Sequence, residues 1–586
     1  MRYHVLACDY DGTLATNGRV DAATVRALEQ LLATGRKLVL VTGRELDQLL
    51  SIFPEMSLFA SVVAENGALL YDPATKAEKV LCKAPPAAFV PMLKARGVAP
   101  ISVGRVIVAT WRPHETVVLD TIRELGLEMQ VIFNKDAVMV LPSGVNKATG
   151  LTAALTEMGF SAHEAVGVGD AENDHALLGL CECGAAVANA LPALKAAVDL
   201  TLTLDHGAGV SELIDQIVGN DLANMEGRLT RHRLLLGQGA RGEDVFLPSF
   251  GRTILIAGPS GSGKSTAAGG ILEQLAAHRY QFCIIDPEGD FGSLEGAITL
   301  GTLQHGPAVD EVMKTLASGR ETSIVINLVG LAVADRPTFL QSLLPHLEEM
   351  RARTGRPHWL ILDEAHHLLP AAWVPGLPHS ADSWRRTVLI TVHPGQLARA
   401  ALEQVDTVLL VGPQPETTLQ QFYAGLGKPA PATRLAGEND GEVFLWSTER
   451  HAGQPIHLTP SRLERRRHRR KYAEGELPPE RSFYFHGPQR KLNLRAQNLI
   501  LFMQLADGVD DVTWTYHLQQ GEYSKWFRAC IKDETLANLT GEVERRTDLT
   551  PAQSRAQIRA LIEENYTAPA GSPMPVPGTD AATVRK

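Results

Sequence analysis

Short apolar runs alternate with amphipathic stretches along the first third of the chain. The runs that have the composition of buried strands are residues 4–8, 37–42, 61–70 and 164–170. Between them lie stretches with helical apolar spacing, of which residues 21–35 are the clearest. Strands that alternate with helices of this length need crossover connections and therefore form a parallel sheet. The pattern predicts an α/β domain over residues 1–222.

The alternation changes between about residues 83 and 140. There a helix followed by two strands occurs twice, and the second helix covers residues 114–126. This order predicts a small α+β unit inserted into the parallel-sheet domain.

A second series of strands begins near residue 250. Its apolar runs cover residues 252–258, 281–287, 322–330, 358–364, 386–393 and 407–412. Runs that are apolar on both faces are typical of parallel strands covered by helices on each side. We therefore expect a second, independent α/β domain over residues 228–460.

The remaining residues divide into three parts. Residues 461–480 combine a basic run with a proline pair and are predicted to be a basic linker. Aromatic and helical apolar spacing over residues 481–545 predicts a small helical domain. Residues 546–586 are rich in Ala, Pro and Thr, and we expect a tail that is partly disordered.

Composition narrows the function classes. A chain of 586 residues with 45% hydrophobic and 21% charged residues is an ordinary multidomain globular protein. Its net charge of −10 argues against a globally basic nucleic-acid binder. No apolar run reaches the roughly 20 residues of a membrane span, the N-terminus does not resemble a signal peptide, and the six cysteines lack zinc-ligand spacing. We expect a cytoplasmic protein that does not enter a membrane.

Several polar clusters follow strands of the first domain. Asp9 and Asp11 come directly after the first strand, Thr42 follows the second, Lys147 stands in a predicted loop, and Asp170 and Asp174 follow a later strand. The carboxyl ends of parallel strands meet at one edge of a sheet, where such sheets bind ligands. Paired carboxylates suit nucleophilic and proton-transfer chemistry, and hard oxygen ligands suit Mg²⁺. The set predicts a phosphate-handling site.

These four clusters, in this order, resemble the motifs of the haloacid dehalogenase (HAD) phosphohydrolases. The insert at 83–140 and the sequence Glu65-Asn66-Gly67 are similar to the Cof-type branch, and the resemblance covers about residues 1–218. It implies a Rossmann-like parallel sheet with an inserted α+β cap and phosphomonoester hydrolysis through an aspartyl-phosphate. The roles that it implies are nucleophile for Asp9, general acid/base for Asp11, phosphate binding for Thr42 and Lys147, and Mg²⁺ binding for Asp9, Asp11, Asp170 and Asp174.

A glycine-rich loop between a strand and a helix marks the second candidate site. It has the form G-x-x-x-x-G-K-S, whose backbone amides cradle phosphates while the lysine reaches the outer ones and the serine binds Mg²⁺. This predicts an ATP-binding P-loop NTPase domain. The residues assigned to nucleotide binding are Gly258, Gly261, Ser262, Gly263, Lys264, Ser265 and Thr266, with Ser265 also a metal ligand.

Asp363 and Glu364 end a later strand of the same domain. An acid beside the metal followed by a glutamate that activates water favours ATP hydrolysis over kinase chemistry. Asp363 is assigned to the metal shell and Glu364 to catalysis. The segments 286–290 and 391–393 are similar to the HerA/FtsK-type translocase ATPases over about residues 228–460. That resemblance implies a possible hexamer with an arginine contributed by a neighbouring subunit, for which Arg351, Arg353, Arg356 and Arg399 are candidates.

Three functions are compatible with these motifs. The one we favour is an enzyme, a Mg²⁺-dependent phosphatase for a small phosphorylated metabolite that is fused to a regulatory ATPase. The second is a nucleic-acid translocase or end-processing ATPase with an attached phosphatase, supported by the basic run at 465–471; nucleic acid is not the favoured partner. The third is a scaffold or signalling protein switched by ATP.

Overall fold

The fold is described from a computed structural model that covers residues 1–225, 227–292, 294–302, 304–373, 384–431, 443–459, 461, 477, 479–531 and 533–566. Residues 1–460 form one compact unit and residues 461–586 a second. The basic run at 465–471 and the chain end at 567–586 lie outside the described residues.

The first region, up to residue 220, contains two sheets and their helices. The strands are β1 Val5–Asp9, β2 Lys37–Val41, β3 Ser61–Ala64, β4 Leu69–Asp72, β5 Ala77–Val80, β6 Ser102–Val103, β7 Val108–Trp111, β8 Met129–Asn134, β9 Ala137–Pro142, β10 Ala165–Gly169, β11 Cys183–Ala186 and β12 Leu200–Thr201. The helices are α1 Ala22–Ala33, α2 Leu46–Ile52, α3 Phe89–Ala95, α4 Glu115–Glu124, α5 Lys147–Met158, α6 His175–Leu180, α7 Pro192–Lys195 and α8 His206–Asn220.

The larger sheet of this region has the order β12-β11-β10-β1-β2-β3-β4-β5. Its strands run parallel from β12 to β3, and β4 and β5 add an antiparallel edge. The strands form because their apolar residues are buried on both faces, as the burial of the whole of β1 shows. The smaller sheet, β6-β7-β9-β8, is antiparallel and packs with α3 and α4 around its own core. It is the inserted cap.

The second α/β region is built on a mostly parallel sheet. The strands are β13 Leu234–Gly239, β14 Asp244–Leu247, β15 Thr253–Ala257, β16 Phe282–Asp286, β17 Ala297–Leu300, β18 Ser323–Asn327, β19 Trp359–Leu362, β20 Thr387–Thr391, β21 Thr407–Val411, β22 Val443–Ser447 and β23 Ala452–Leu458. The helices are α9 Lys264–Ala277, α10 Val309–Ser318, α11 Arg336–Thr354, α12 Arg399–Leu402 and α13 Pro415–Gly425.

The strand order of this sheet is β14-β13-β23-β22-β21-β15-β20-β19-β16-β18-β17. The six strands predicted from the sequence are neighbours in it and run parallel. The sequence pattern missed β17 and the antiparallel edge from β22 to β14. Of these strands, β14, β17 and β23 are partly exposed, whereas β13 and β22 are largely buried and contain the short apolar runs 234–236 and 443–446. The α/β fold class predicted for both regions is confirmed.

The second compact unit contains a hairpin and a group of helices. Its elements are β24 Phe483–Phe485, β25 Leu494–Ala496, α14 Leu499–Gly508, α15 Asp511–Gln519, α16 Glu522–Trp526, α17 Glu534–Glu544 and α18 Pro551–Tyr566. The helix α18 lies in the segment predicted to be a tail, so the helical domain continues past residue 545. The composition concealed this helix because only one stripe of it, including Ile558 and Ile562, is buried.

Within the described residues, none of the helices is both long and apolar enough to cross a membrane.

Candidate functional site

The first candidate site lies where β1 and β10 end. Asp9 is the last residue of β1 and pairs in register with Val41, so Thr42 follows at the same edge of the sheet. On the other side of β1, Asp170 directly follows β10. The parallel register therefore brings together residues that are more than a hundred positions apart.

Lys147 forms the centre of the charge network. It is the first residue of α5 and not a loop residue as the sequence suggested, and Asn146 caps that helix by accepting the N–H groups of Ala148 and Thr149. The buried Lys147 Nζ lies 2.6 Å from Asp9 Oδ1 and 2.6 Å from Asp174 Oδ1. Burial opposes the ammonium charge, but the two carboxylates outweigh it and raise the pKa of Lys147.

Three buried carboxylates form a candidate metal site. The oxygen atoms of Asp9, Asp170 and Asp174 lie within 4.8 Å of one another. Burial raises the pKa of Asp9 and of Asp170, since low polarity disfavours their charged forms. Asp174 is oriented by the N–H groups of Asp170 and Ala171, both 3.0 Å from its Oδ2. A cluster of carboxylates that is costly to ionise fits Mg²⁺, which takes hard oxygen ligands.

Asp11 is held by Arg44, which follows Thr42 by two residues after the end of β2. Arg44 Nε and Nη2 each lie 2.6 Å from an oxygen of the Asp11 carboxylate, a bidentate pair. The Thr42 hydroxyl accepts the Arg44 N–H at 3.1 Å and so fixes the start of this loop. The Thr-Gly-Arg sequence after β2 was the signal for this contact.

The second candidate site is the loop between β15 and α9. A Cβ atom at Gly258 would lie 1.9 Å from the Val411 carbonyl oxygen, and Gly263 has a φ of +103°, so both positions require glycine. Gly261 and Ser262 complete the turn, and Ser265 and Thr266 lie in the first turn of α9. This close-packed glycine cradle with amides at a helix start fits a nucleotide phosphate.

Lys264 and the acids opposite it complete that site. Lys264 Nζ donates to the Pro259 carbonyl at 2.9 Å, and burial lowers the pKa of Lys264. Burial, together with the nearby Asp286 carboxylate, raises the pKa of Asp363 to about 8. Glu364 has a left-handed backbone with a φ of 39°, and burial raises its pKa too. Carboxylates are ligands that a divalent cation bound with a nucleotide takes.

Two parts of the chain match known protein families. Residues 6–87 and 125–214 match the profile of haloacid dehalogenase-like hydrolases. Phosphoglycolate phosphatase 2 of Saccharolobus solfataricus is 30% identical over 227 residues, which is 37% of this chain and 93% of the relative. The chain belongs to the haloacid dehalogenase-like hydrolases.

Other relatives of this hydrolase extend the comparison. A phosphoglycolate phosphatase of Halorubrum lacusprofundi is 32% identical over 35% of this chain and 94% of its own length. A solved haloacid dehalogenase-like hydrolase of Bacteroides thetaiotaomicron aligns at 18% identity over 37% of this chain and 99% of that one, with a TM-score of 0.33. Residues 247–352 match the central domain of the HerA helicase. The chain thus joins a HAD-like hydrolase to a HerA-like domain.

The cap of the hydrolase covers a cavity beside Asp9. The cavity has a volume of about 560 Å³ and is lined from the core by Asp9, Asp11 and Arg44 and from the cap by residues that include Trp111 and Lys135. Lys135 Nζ lies 2.9 Å from Asp170 Oδ2. Lys135 lies in the hairpin between β8 and β9, which points its side chain into the site.

Two other cationic side chains of the cap, Arg105 and Arg112, lie away from the lining of this cavity. Arg105 forms ion pairs with Asp47 and Glu78, and the Arg112 guanidinium packs over the Phe133 ring. Their charges are therefore engaged outside the substrate space.

The four arginines considered for a contribution between subunits differ in exposure and in their contacts. Arg351 donates to the Pro357 carbonyl, and Arg356 is buried against Gln281 and the Gly159 carbonyl. Arg353 and Arg399 form only exposed pairs with a glutamate one turn away on their own helices. Arg353 and Arg399 are therefore the two exposed candidates.

Two histidines, His393 and His517, have hydrogen-bond partners within their own regions. The His393 N–H donates to the Thr391 hydroxyl, which also contacts His366 Nδ1 at 3.1 Å. His517 is buried, and its Nε2 accepts the His486 N–H while its Nδ1 contacts Glu522. Both ring nitrogens of His517 thus have partners in the second compact unit.

Proposed function

We propose that the chain is a Mg²⁺-dependent phosphomonoesterase fused to an ATP-hydrolysing P-loop domain. The observation that carries the phosphatase assignment is the contact of Lys147 Nζ with both Asp9 and Asp174, 2.6 Å each, beside Asp170 and beneath the cap. A lysine that offsets the charge of an anionic nucleophile is what attack on a phosphate ester requires.

The proposed reaction has two steps. An Asp9 carboxylate oxygen attacks phosphorus, the bond from phosphorus to the ester oxygen breaks, and Asp11 gives a proton to the departing alkoxide. Asp11 then takes a proton from water, whose oxygen attacks phosphorus and releases phosphate and Asp9. Asp11 has to turn away from Arg44 for these transfers. Thr42 and Lys147 hold the phosphoryl oxygens, and Mg²⁺ bound by Asp9, Asp170, Asp174 and the Asp11 carbonyl would neutralise phosphate charge.

The proposed substrate is a small phosphorylated metabolite, with phosphoglycolate as the first compound to test. Two curated relatives carry the name phosphoglycolate phosphatase. In the cavity, Lys135 on the cap and Arg44 on the core offer positive charge to a second acidic group. A volume of about 560 Å³ also accommodates a sugar phosphate, so both classes belong in the assay.

The second proposed activity is ATP hydrolysis. The glycine cradle would hold the phosphates of ATP, with Lys264 beside the outer ones. Ser265 and Asp363 would hold Mg²⁺, which would neutralise phosphate charge, and Glu364 would activate the attacking water. A DNA-stimulated ATPase is the second candidate function, because residues 247–352 match the HerA central domain. A hexameric assembly and a cytoplasmic location, to which the free cysteines are suited, belong to the same proposal.

The test of the phosphatase uses phosphate release from phosphoglycolate and sugar phosphates with Mg²⁺. Asp9→Asn should lower kcat at least about 10³-fold and leave ATP hydrolysis unchanged, since the two sites use different residues. Asp215→Asn on the outer face of α8 is the matched carboxylate control. Wild-type turnover by Asp9→Asn would overturn the assignment.

The test of the ATPase separates binding from hydrolysis. Lys264→Ala should lose binding of a fluorescent ATP analogue, whereas Glu364→Gln should bind it and hydrolyse ATP about 10²-fold or more slowly. Measuring both with and without DNA at low salt decides between the two candidate functions, because phosphate contacts are strongest there. Absence of stimulation would contradict the translocase.

A further inference from the structure

A cluster of histidines and acids lies away from both phosphate sites, where the hydrolase region meets the HerA-like region. Its centre is Glu182, which is 3% exposed and precedes β11. The Glu182 Oε2 atom lies 2.7 Å from His163 Nδ1 and 3.8 Å from His232 Nε2. His232 belongs to the segment that leads from α8 into β13, so the cluster joins the first region to the start of the second.

Both ring nitrogens of His163 face hydrogen-bond acceptors. Its Nε2 lies 2.8 Å from the His278 carbonyl oxygen and its Nδ1 2.7 Å from the Glu182 carboxylate. Both partners accept hydrogen bonds, so a neutral imidazole with one proton would place a lone pair against an acceptor. The ring therefore holds either a second proton at Nδ1 or a metal ion in its place.

The remaining groups favour the metal. His232 Nε2 is buried and makes no hydrogen bond, although a carboxylate oxygen is 3.8 Å away. Nitrogen and oxygen donors about 2.1 Å from one zinc ion stand roughly 3.4 Å apart. The His163–Glu182 separation of 2.7 Å is shorter than this spacing, and the His232–Glu182 separation of 3.8 Å is longer. The three donor atoms lie within 4.8 Å of one another.

The groups around the donors are arranged as metal sites require. Ligating histidines commonly donate their other N–H to a carbonyl, as His163 does to His278, and ligating carboxylates are themselves hydrogen-bonded. Glu182 Oε1 accepts the Ser249 hydroxyl at 3.0 Å, and the Tyr280 hydroxyl lies 2.9 Å from Oε2 and 3.1 Å from Oε1. Arg2 Nη2 is 3.4 Å from the same Oε1, so the arginine charge lies on the side of the carboxylate away from the two histidines' donor atoms.

We propose that His163 Nδ1, Glu182 Oε2 and His232 Nε2 bind a divalent zinc ion, with water as the fourth ligand. Two imidazoles and one carboxylate are a donor set that zinc takes, whereas Mg²⁺ prefers oxygen alone. The ion clamps the segment after α8 to the hydrolase region. This inference is independent of the proposed function, because it requires neither phosphatase nor ATPase turnover.

The test is zinc binding by the full chain after treatment with a chelator and return to excess Mg²⁺, which occupies the oxygen sites. Calorimetric titration with zinc should give one tight site that is lost in His232→Ala. The matched control is His278→Ala, which removes a neighbouring imidazole and keeps the backbone carbonyl that His163 uses. Equal zinc stoichiometry in wild type and His232→Ala would overturn the proposal.

A spectroscopic readout makes the result independent of folding defects. Cobalt bound in place of zinc should give the visible absorption of a four-coordinate site in wild type and in His278→Ala, and at least a tenfold weaker signal in His232→Ala. Since His232 is partly exposed, its replacement is the variant expected to fold; His163→Ala is the second. Absence of the absorption in wild type would show that a proton and not a metal bridges His163 and Glu182.

Discussion

The Glu65 carboxylate accepts the backbone N–H of Val106 at 2.7 Å and thereby ties the sheet of the hydrolase to its cap. The same carboxylate accepts the N–H groups of Arg105 at 2.7 Å and Ile107 at 3.0 Å. Glu65 is fully buried and follows β3, whereas residues 105–107 join β6 to β7 above the cavity. One side chain thus sets the position of the cap loop.

Replacing Glu65 should loosen the cap. Glu65→Ala removes three hydrogen bonds to a charged group, each of which contributes roughly 1.5–3 kcal/mol. We expect kcat/KM for phosphate release to fall at least about tenfold, mainly through KM, because the cap residues no longer face the substrate. Steady-state kinetics measure this. Glu78→Ala is the control, since it removes only an exposed pair to Arg105; equal losses in the two variants would contradict a positioning role for Glu65.

Removing the charge of Lys147 should destabilise the metal-free protein. Lys147→Met leaves Asp9 and Asp174 buried without their cation, which costs about 3–5 kcal/mol. Urea unfolding in a chelator measures the loss, and Mg²⁺ should restore part of it. Lys79→Met, which breaks the exposed pair to Glu157, should cost at most about 1 kcal/mol. A small effect of Lys147→Met would mean that its contacts are not strong in solution.

His4 should make stability fall in mild acid. Burial against Phe160 lowers the pKa of His4 to about 4, below the value of about 6.5 for an unfolded chain. Between those pH values only the unfolded state takes up the proton, so lowering the pH from 6.5 to 4 removes up to about 3 kcal/mol. His4→Phe should flatten this part of the stability curve, measured by urea unfolding across that range. His114→Phe, at a half-buried ring that contacts the Ala99 carbonyl, is the control for the loss of an imidazole.

Replacing Arg353 or Arg399, which are exposed, should have a different effect from replacing Arg351 or Arg356, which are at least partly buried. If a neighbouring subunit completes the ATP site, Arg353→Ala or Arg399→Ala should lower ATP hydrolysis about 10³-fold without changing the melting temperature. Arg351→Ala and Arg356→Ala should lower the melting temperature, because the Arg351 guanidinium links the Pro357 and Arg386 carbonyls and the Arg356 guanidinium donates to the distant Gly159 carbonyl. Full ATPase activity in both exposed variants would argue against a shared site.

Local motifs in the sequence located both candidate sites. The loop at 258–266 needs only a strand, a glycine turn and a helix start that are adjacent in the chain, so its residue types imply its geometry. Asp9 and Asp11 follow an apolar strand in the same way. Alternating apolar periodicity likewise gave the two α/β regions, because buried parallel strands have continuous apolar runs.

Tertiary structure alone decided the contacts between distant residues. Lys147 and Asp9 are 138 positions apart, and only the packing of α5 against the end of β1 makes them a pair. Helix and sheet packing likewise decides that Glu182 meets His163 and His232. It also decides the contact of Glu65 with the cap and the partial burial of Arg351. Periodicity shows that a face is buried, but not which distant polar group it meets, since that follows from sheet order and helix packing.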